Sequence, residues 1–488
     1  MAVAAIMLIA LSVWMLEQGR AGLTLTEVMV GTTPATLYRK PGEDGPVVVV
    51  ARGFAGSRPI MQAYSLSLAQ AGYRVLAFDF QGHGRNPVPM SGDVTRIDGT
   101  TALLVAETRR VIAQARAISG PGRGVAVLGH SMATDILVRA SDAEAAAGTP
   151  LTAVVAVSMF SQAVTATTPP RLLVVSGAYE AMLRAGALDA VRLVDPAARE
   201  GQTVTAAAVT RRAVVAPGVE HVGVLFSATA VRAARDWMDA AFGRTSTAPL
   251  VVPGGWVLAL LAGIVALVRP LVAMVPATAV SVPQPPPWRF AVAVLVPALV
   301  VPLVLPPLYQ RFLPVLVADY LLLHLALFGA IQLALLRPWL RGAGVRSWPL
   351  VVALLVWGIC VFGLALDRYA ASFWPTADRL VIIAALAFGT VPAMLADSLV
   401  TGAGRGALWR RVVARVGLLG SIGAAAALDP DRLIFLVIIL PVLALFFLVY
   451  GLMGRWVAQR SGAMAAGLGL GLVLAWTLGV SFPLFVSG

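Results

Sequence analysis

Ser131 stands in Gly129-His130-Ser131-Met132-Ala133, where an apolar run of strand length, Val125 to Leu128, gives way to a helical stretch continuing through Thr134 to Ala140. A serine hydroxyl is a poor nucleophile until a neighbouring imidazole takes its proton. That imidazole in turn needs a carboxylate to fix its tautomer and stabilise its charged form. Small residues two positions either side of the serine suit a sharp strand-to-helix turn that presents the hydroxyl at a sheet edge. The second of those positions holds Ala133 rather than glycine, so the pentapeptide alone also fits an ordinary strand-turn-helix.

The chain has four histidines. His221, in Gly218-Val219-Glu220-His221 after the strand-like Arg212 to Ala216, is the best-placed base. His83 lies in an earlier glycine-rich loop, His130 adjoins the serine and is expected to point away from it, and His324 falls in an apolar span. Glu180 follows the preceding strand, Arg171 to Val175, and is the best-placed acid; Asp189 and Asp195 are less well placed competitors. The chain order is serine, acid, histidine, the order used by hydrolases built on an open α/β sheet. Ligand sites in such sheets lie beyond the carboxyl ends of the strands, and all three loops follow strands.

The elements around them alternate. Thr24 to Val30 and Ala35 to Arg39 read as an opening strand pair, and Pro46 to Ala51 and Arg74 to Asp79 as strands buried on both faces. Thr100 to Ser119 reads as a helix, Ala153 to Val157 as a further strand and Ser227 to Phe242 as an amphipathic closing helix. Strands alternating with helices predict an α/β domain with a mainly parallel sheet.

Residues 23–243 resemble the α/β-hydrolase fold serine hydrolases of the esterase, lipase and serine-aminopeptidase type. The resemblance rests on Arg52-Gly53-Phe54, on Asp79-Phe80-Gln81-Gly82-His83-Gly84, on the turn at Ser131 and on His221. It implies an oxyanion hole formed by the backbone N–H groups of Phe54 and Met132, beside the expected Ser131–Glu180–His221 triad; Asp79 and His83 are read as structural, holding the loop after their strand. Two positions depart from the family pattern: Arg52 stands where a histidine is usual, and Ala133 where the second glycine is usual. Arg52 puts the hydrogen bonding of the oxyanion strand in question.

Composition divides the chain. Of 488 residues 59% are hydrophobic and only 12% charged, against roughly 25% charged in soluble domains. Residues 1–245 carry 22 basic and 18 acidic side chains and residues 246–488 carry 15 and 6. Ala2 to Leu16 predicts an uncleaved anchor helix within residues 1–20, followed by an α/β-hydrolase domain over 21–245. Residues 246–488 predict an all-α membrane domain of about eight spans, over 250–268, 290–310, 312–336, 348–366, 380–400, 412–428, 433–453 and 463–485. Four prolines predict a kinked or broken second span, preceded by a proline-rich linker at 283–287. Gly467 and Gly471 predict close helix packing in the last span. Asp319 and His324, five residues apart, lie on different helix faces and are expected to pair with other helices.

Arginines crowd alternate loops: Arg269 and Arg289, then Arg337, Arg341 and Arg346, then Arg405, Arg410, Arg411 and Arg415, then Arg455 and Arg460. The other loops hold Arg311, Arg368, Arg379 and Arg432. The positive-inside rule therefore predicts a multi-pass protein of a bacterial cytoplasmic membrane with the hydrolase domain on the outer side. Arginines scattered between apolar spans give no reason to expect nucleic acid. Cys360, the single cysteine, gives no disulfide framework, and neither metal nor cofactor is expected.

The expected function is a membrane-anchored serine hydrolase that cleaves a carboxylic ester through an acyl-enzyme on Ser131. The alternative is a transporter or scaffold carrying a hydrolase-like binding module, and peptidase, thioesterase or acyltransferase chemistry stays open. Ser158 to Pro170 leaves no room for the helical lid common in lipases. The membrane domain or the bilayer surface is expected to cover the site instead, which favours apolar or lipid-derived esters and membrane lipids as partners.

Overall fold

The computed structural model describes residues 1–93, 96–278, 284–340 and 344–486. Pro283 of the proline-rich linker and Arg341 lie outside them.

The first half is built on strands β1 (Thr24–Val30), β2 (Thr33–Arg39), β3 (Val47–Ala51), β4 (Arg74–Phe78), β5 (Val125–His130), β6 (Val154–Val157), β7 (Arg171–Gly177), β8 (Thr203–Ala206) and β9 (Val209–Ala216). They form one sheet in the order β1-β2-β4-β3-β5-β6-β7-β9-β8. The six strands from β4 to β9 in that order run parallel, and the two edges are antiparallel. The edge hairpin of β8 and β9 escapes the sequence pattern because β8 is short and mostly exposed.

Side chains alternate across a strand, and β3 and β5 use both faces. Val47, Val49, Val125 and Val127 enter one core, while Val48, Val50, Ala126 and Leu128 enter the other. Helices α3 (Ala102–Ser119), α4 (Met132–Ala146) and α5 (Ala181–Arg192) cover the first face, and α2 (Gln62–Gln70) and α6 (Ala228–Phe242) the second.

Among the described residues eight later helices are long and apolar enough to cross a membrane: α7 (Gly254–Ala273), α8 (Pro287–Leu308), α9 (Ala318–Leu335), α10 (Trp348–Tyr369), α11 (Ala377–Val400), α12 (Leu408–Leu428), α13 (Leu436–Ser461) and α14 (Ala463–Ser481). The N-terminal helix α1 (Ala2–Gln18) is shorter and lies along α7. Met1 approaches Arg269, Ile9 fills the space at Gly263 and Gly19 meets Val251.

Of the kink or break expected in the second span, the break is absent. Pro287–Leu308 is one helix with four internal prolines. A proline leaves the carbonyl four residues earlier without its donor. For Pro297 that carbonyl belongs to Ala293, and Gln332 Nε2 of α9 donates to it at 3.0 Å. Near the helix end Arg432 donates to the carbonyls of Pro306 and Tyr309. A side chain on a neighbouring helix thus replaces the missing backbone donor.

Gly467 and Gly471 let α14 lie on the backbone of α11: a Cβ at either would come within 2.7 Å or less of Leu395 or Val391 Cα. The last helix ends at Ser481, short of the expected 485. Phe482 is extended before Pro483, as pre-proline residues prefer. The chain then crosses to the sheet domain, where Leu484 and Val486 hydrogen-bond to Gly82 and Met90 and Phe485 joins the sheet's own core.

The sheet domain sits on one end of the helix bundle, at the connections that hold Arg311, Arg368, Arg379 and Arg432. Gln62 donates to the Arg368 carbonyl, Arg85 pairs with Asp367 at 2.6 Å, and Ser372 N–H donates to Ser57 Oγ. Buried Arg379 reaches the Gly82 carbonyl at 3.0 Å. The arginine-rich connections gather at the opposite end, where Arg405 reaches the Gln459 carbonyl and Arg455 that of Gly404.

Candidate active site

Between β5 and α4 the chain turns through Ser131 at φ 56°, ψ −128°. A non-glycine residue there is strained, and the turn is held by small neighbours. A Cβ at Gly129 would come within 2.5 Å of Leu137, and one at Gly53 within 2.9 Å of Met132 N and Ser131 Cβ. Ala133 is tolerated because its Cβ points into the space that Gly129 leaves free. The loop carrying Phe54 therefore lies directly against the serine turn. Met132 opens α4, where first-turn N–H groups have no acceptor within the helix.

His221 Nε2 lies 2.9 Å from Ser131 Oγ, and His221 Nδ1 lies 2.6 Å from Glu180 Oε1. The structure brings together the serine, the histidine and the acid from three strand ends in one hydrogen-bonded chain. Glu180 Oε2 accepts from Ser158 Oγ at 2.8 Å and from Gly177 N–H at 2.6 Å. Burial pushes the Glu180 carboxyl up, but the bonds from His221, Gly177 and Ser158 outweigh it and hold the group below the usual glutamate range. Asp189 and Asp195 are exposed on or just beyond α5, and Asp195 caps the Ala197 N–H. The His221 side chain is 41% exposed, so the reacting end of the chain is open while its acid end is buried.

His130 does not point away, contrary to expectation. Its ring centroid lies 4.6 Å from that of His221. Arg52 Nη1 approaches His130 Nδ1 at 2.8 Å, and His130 Nε2 lies 2.8 Å from the His221 carbonyl. A guanidinium can only donate, so Nδ1 accepts and Nε2–H donates to the loop carrying His221. Burial, then the charges of Arg52 and His221, push the His130 imidazole well below its ordinary value. Burial also lowers Arg52 to about 10. Arg52, the departure from the family pattern, thus sets the tautomer of His130. Ser158 and the Arg52–His130 pair were not among the expected site residues; their position at strand ends β6, β3 and β5 was the available signal.

Asp79 accepts from Arg58 and the Arg85 N–H, and buried His83 pairs through Nδ1 with the Gln81 carbonyl. Burial lowers the His83 imidazole to about 4. Both hold their loop, as expected of structural residues after their strand.

Residues 42–240 match the sequence family described as serine aminopeptidase, S33. The N-terminal domain has the α/β-hydrolase fold, with its mainly parallel sheet. Among solved structures this hydrolase domain is similar to a predicted CIB-like hydrolase from Thermoplasma acidophilum (16% identity, 45% of this chain and 100% of that one, TM-score 0.35). It is also similar to dienelactone hydrolase from Anabaena variabilis (18%, 45% and 96%, 0.33) and to a hormone-sensitive lipase from a metagenome library (14%, 47% and 90%, 0.34). No curated protein matches the chain significantly.

The helical half abuts this site. Phe54 of the hydrolase domain packs its ring against Phe435, on the connection leading into α13, at 5.6 Å, and against His83 at 5.7 Å. Asp319 and His324 take no part. Asp319 accepts from Tyr309 Oη at 2.6 Å and from the N–H groups of Phe312, Leu313 and Tyr320. His324 meets Ser421 Oγ of α12 at 3.0 Å. Among the described residues no group of His, Cys, Asp or Glu could hold a metal ion.

Proposed function

We propose that the chain is a membrane-anchored serine hydrolase that cleaves a carboxylic ester through an acyl-enzyme on Ser131. The observation that carries this reading is the Ser131–His221–Glu180 chain, with both donor-acceptor distances under 3 Å, at the strained turn after β5. His221 takes the Ser131 proton as Oγ attacks the ester carbonyl. The N–H groups of Phe54 and Met132 receive the developing alkoxide, each worth about 3–4 kcal/mol in the transition state. Collapse expels the alcohol with the proton from His221, and water then repeats the sequence on the acyl-enzyme. Glu180, kept ionised, balances the imidazolium in both halves.

The substrate assignment rests on what surrounds the site. Phe435 of the membrane half lies against the oxyanion loop. Phe160, Tyr179 and Met182, after β6 and β7, expose apolar side chains on the same sheet edge. An ester with an apolar acyl group, or one drawn from membrane lipid, suits such a mouth better than a peptide. The arginine-poor connections meet the hydrolase domain, which under the positive-inside rule supports a site outside the cytoplasmic membrane.

A fluorophosphonate probe tests both points. Labelling of the intact protein that vanishes in Ser131→Ala, and that occurs in whole cells but not in sealed inverted vesicles, supports the reading. A folded wild type that takes no label sinks the enzyme and leaves the binding-module alternative. Label only in inverted vesicles reverses the topology.

A further inference from the structure

On the arginine-rich end of the bundle, helices α12 and α13 part to leave a groove of about 370 Å³ that opens outward. Its walls are apolar: Val412 and Val416 on one side, Phe447 and Leu448 on the other. Val416 and Leu448 are 59% and 69% exposed, and in a membrane they would face lipid. Its upper end is lined by Arg411 and Arg415.

The charges there do not balance. Arg415 pairs with Asp397 at 3.2 Å and stacks over Phe447. Arg405, Arg410 and Arg455 donate to backbone carbonyls of Gln459, Pro285 and Gly404, which leave their charge uncompensated. Arg411 has no hydrogen-bond or ion-pair partner among the described residues. Its Nε is shut off from solvent and unsatisfied, and its nearest charged influences are Arg455 and Arg415, both cations. Gly451 keeps room for the Arg415 guanidinium: a Cβ there would lie 3.0 Å from Nη1.

We propose that this groove binds an anionic glycerophospholipid, with its phosphate on Arg411 and Arg415 and one acyl chain along Val412, Val416 and Leu448. Guanidinium groups match phosphate geometry. The eight helical steps from Arg411 to Leu419 rise about 12 Å, most of the roughly 15 Å depth of one leaflet. Exposed Trp409, beside Arg411, is a residue type that sits at the headgroup level. The groove lies across the bilayer from Ser131, so the bound lipid is a structural ligand and not the hydrolysed ester. The proposal rests on reading these helices as membrane-spanning and is independent of the chemistry at Ser131.

The test uses the full chain carrying Ser131→Ala, so that no lipid is consumed, in detergent. Phosphatidylglycerol or phosphatidylcholine of identical chains is added, and bound lipid is counted by native mass spectrometry. Phosphatidylglycerol should be retained about five-fold more than phosphatidylcholine, the worth of roughly one arginine at a membrane surface. Arg411→Gln should bring it down to the phosphatidylcholine level. Val416→Trp, which fills the groove and spares both arginines, should do the same. Equal retention of the two lipids, or unchanged retention in both variants, overturns the proposal. So does displacement of the lipid by millimolar inorganic phosphate, which would assign the arginines to a free anion.

Discussion

The two halves each hold a serine hydrogen-bonded to a histidine, at nearly the same distance: Ser131 to His221 at 2.9 Å and Ser421 to His324 at 3.0 Å. Everything around the two pairs differs. His221 has a carboxylate on its other nitrogen, whereas among the described residues His324 Nδ1 has only Tyr320 Oη at 3.4 Å, too long for a strong bond. The nearby carboxylate, Asp319, already accepts four hydrogen bonds at the start of α9 and has none for His324. Ser131 sits on a strained turn with its partner exposed; Ser421 and His324 are buried within helices. A Ser–His contact becomes a reactive pair through the third group, the turn and the access. Without them it is packing.

The largest expected effect separates the two serines. Ser131→Ala should lower ester hydrolysis by about 10⁴- to 10⁶-fold, while Ser421→Ala leaves kcat/KM unchanged and lowers stability by about 1 kcal/mol. An active Ser131→Ala protein, or a dead but folded Ser421→Ala protein, would break the distinction. The next effect addresses the carboxylate. Glu180→Gln keeps the shape but presents the wrong hydrogen-bond pattern, and should cost on the order of 10³- to 10⁴-fold in kcat. The pH dependence follows from the direction of the Glu180 shift. Its carboxyl is held below the ordinary range, so protonation of Glu180 should cost no activity until the pH falls below the ordinary glutamate range. The same depressed value adds stability above the ordinary glutamate range that is lost as pH falls through the lower folded one. Chemical denaturation of wild type and Glu180→Gln across acidic pH measures that loss, and parallel curves would contradict it.

A smaller effect belongs to Arg52. Replacing it by Met removes the donor to His130 Nδ1 and frees the ring to exchange tautomers, loosening the bond from His130 Nε2–H to the His221 carbonyl. Arg52 is a positioning residue, so kcat should fall about ten-fold with KM little changed, and Arg52→Lys should restore part of the loss. A change confined to KM would instead put Arg52 in the substrate pocket.

Most of the hydrolase domain was legible because local pattern and global fold agree: β-branched runs for central strands, small residues at the turn, and serine, acid and histidine in order at strand ends. The Ser131–Glu180–His221 set came from the same logic. His130 was misjudged because strand alternation says which face a side chain takes, not what meets it there, and the Arg52 that meets it is 78 residues away in sequence. The unbroken α8 had the same cause, since Gln332, the substitute donor to the Ala293 carbonyl, lies on another helix. Long-range partners leave no periodic mark in the chain.

The smallest effect bears on how the halves meet. With no room for a lid between β6 and β7, the aromatic contact of the helical half with the Phe54 loop is Phe435 against Phe54. Excising the hydrolase domain would not isolate this contact, because Phe485 from the chain's last segment is part of that domain's core. Phe435→Ala leaves Phe485, the Arg85–Asp367 pair and the Arg379–Gly82 bond in place, and removes an aromatic pair worth about 0.5–1.5 kcal/mol. If Phe435 lines the path of an apolar acyl chain, the variant should lower kcat/KM for long-chain esters about three- to ten-fold. Short-chain hydrolysis and fluorophosphonate labelling should stay unchanged. An equal loss for both chain lengths would mean that Phe435 only steadies the Phe54 loop, and the apolar mouth would then belong to Phe160, Tyr179 and Met182 alone.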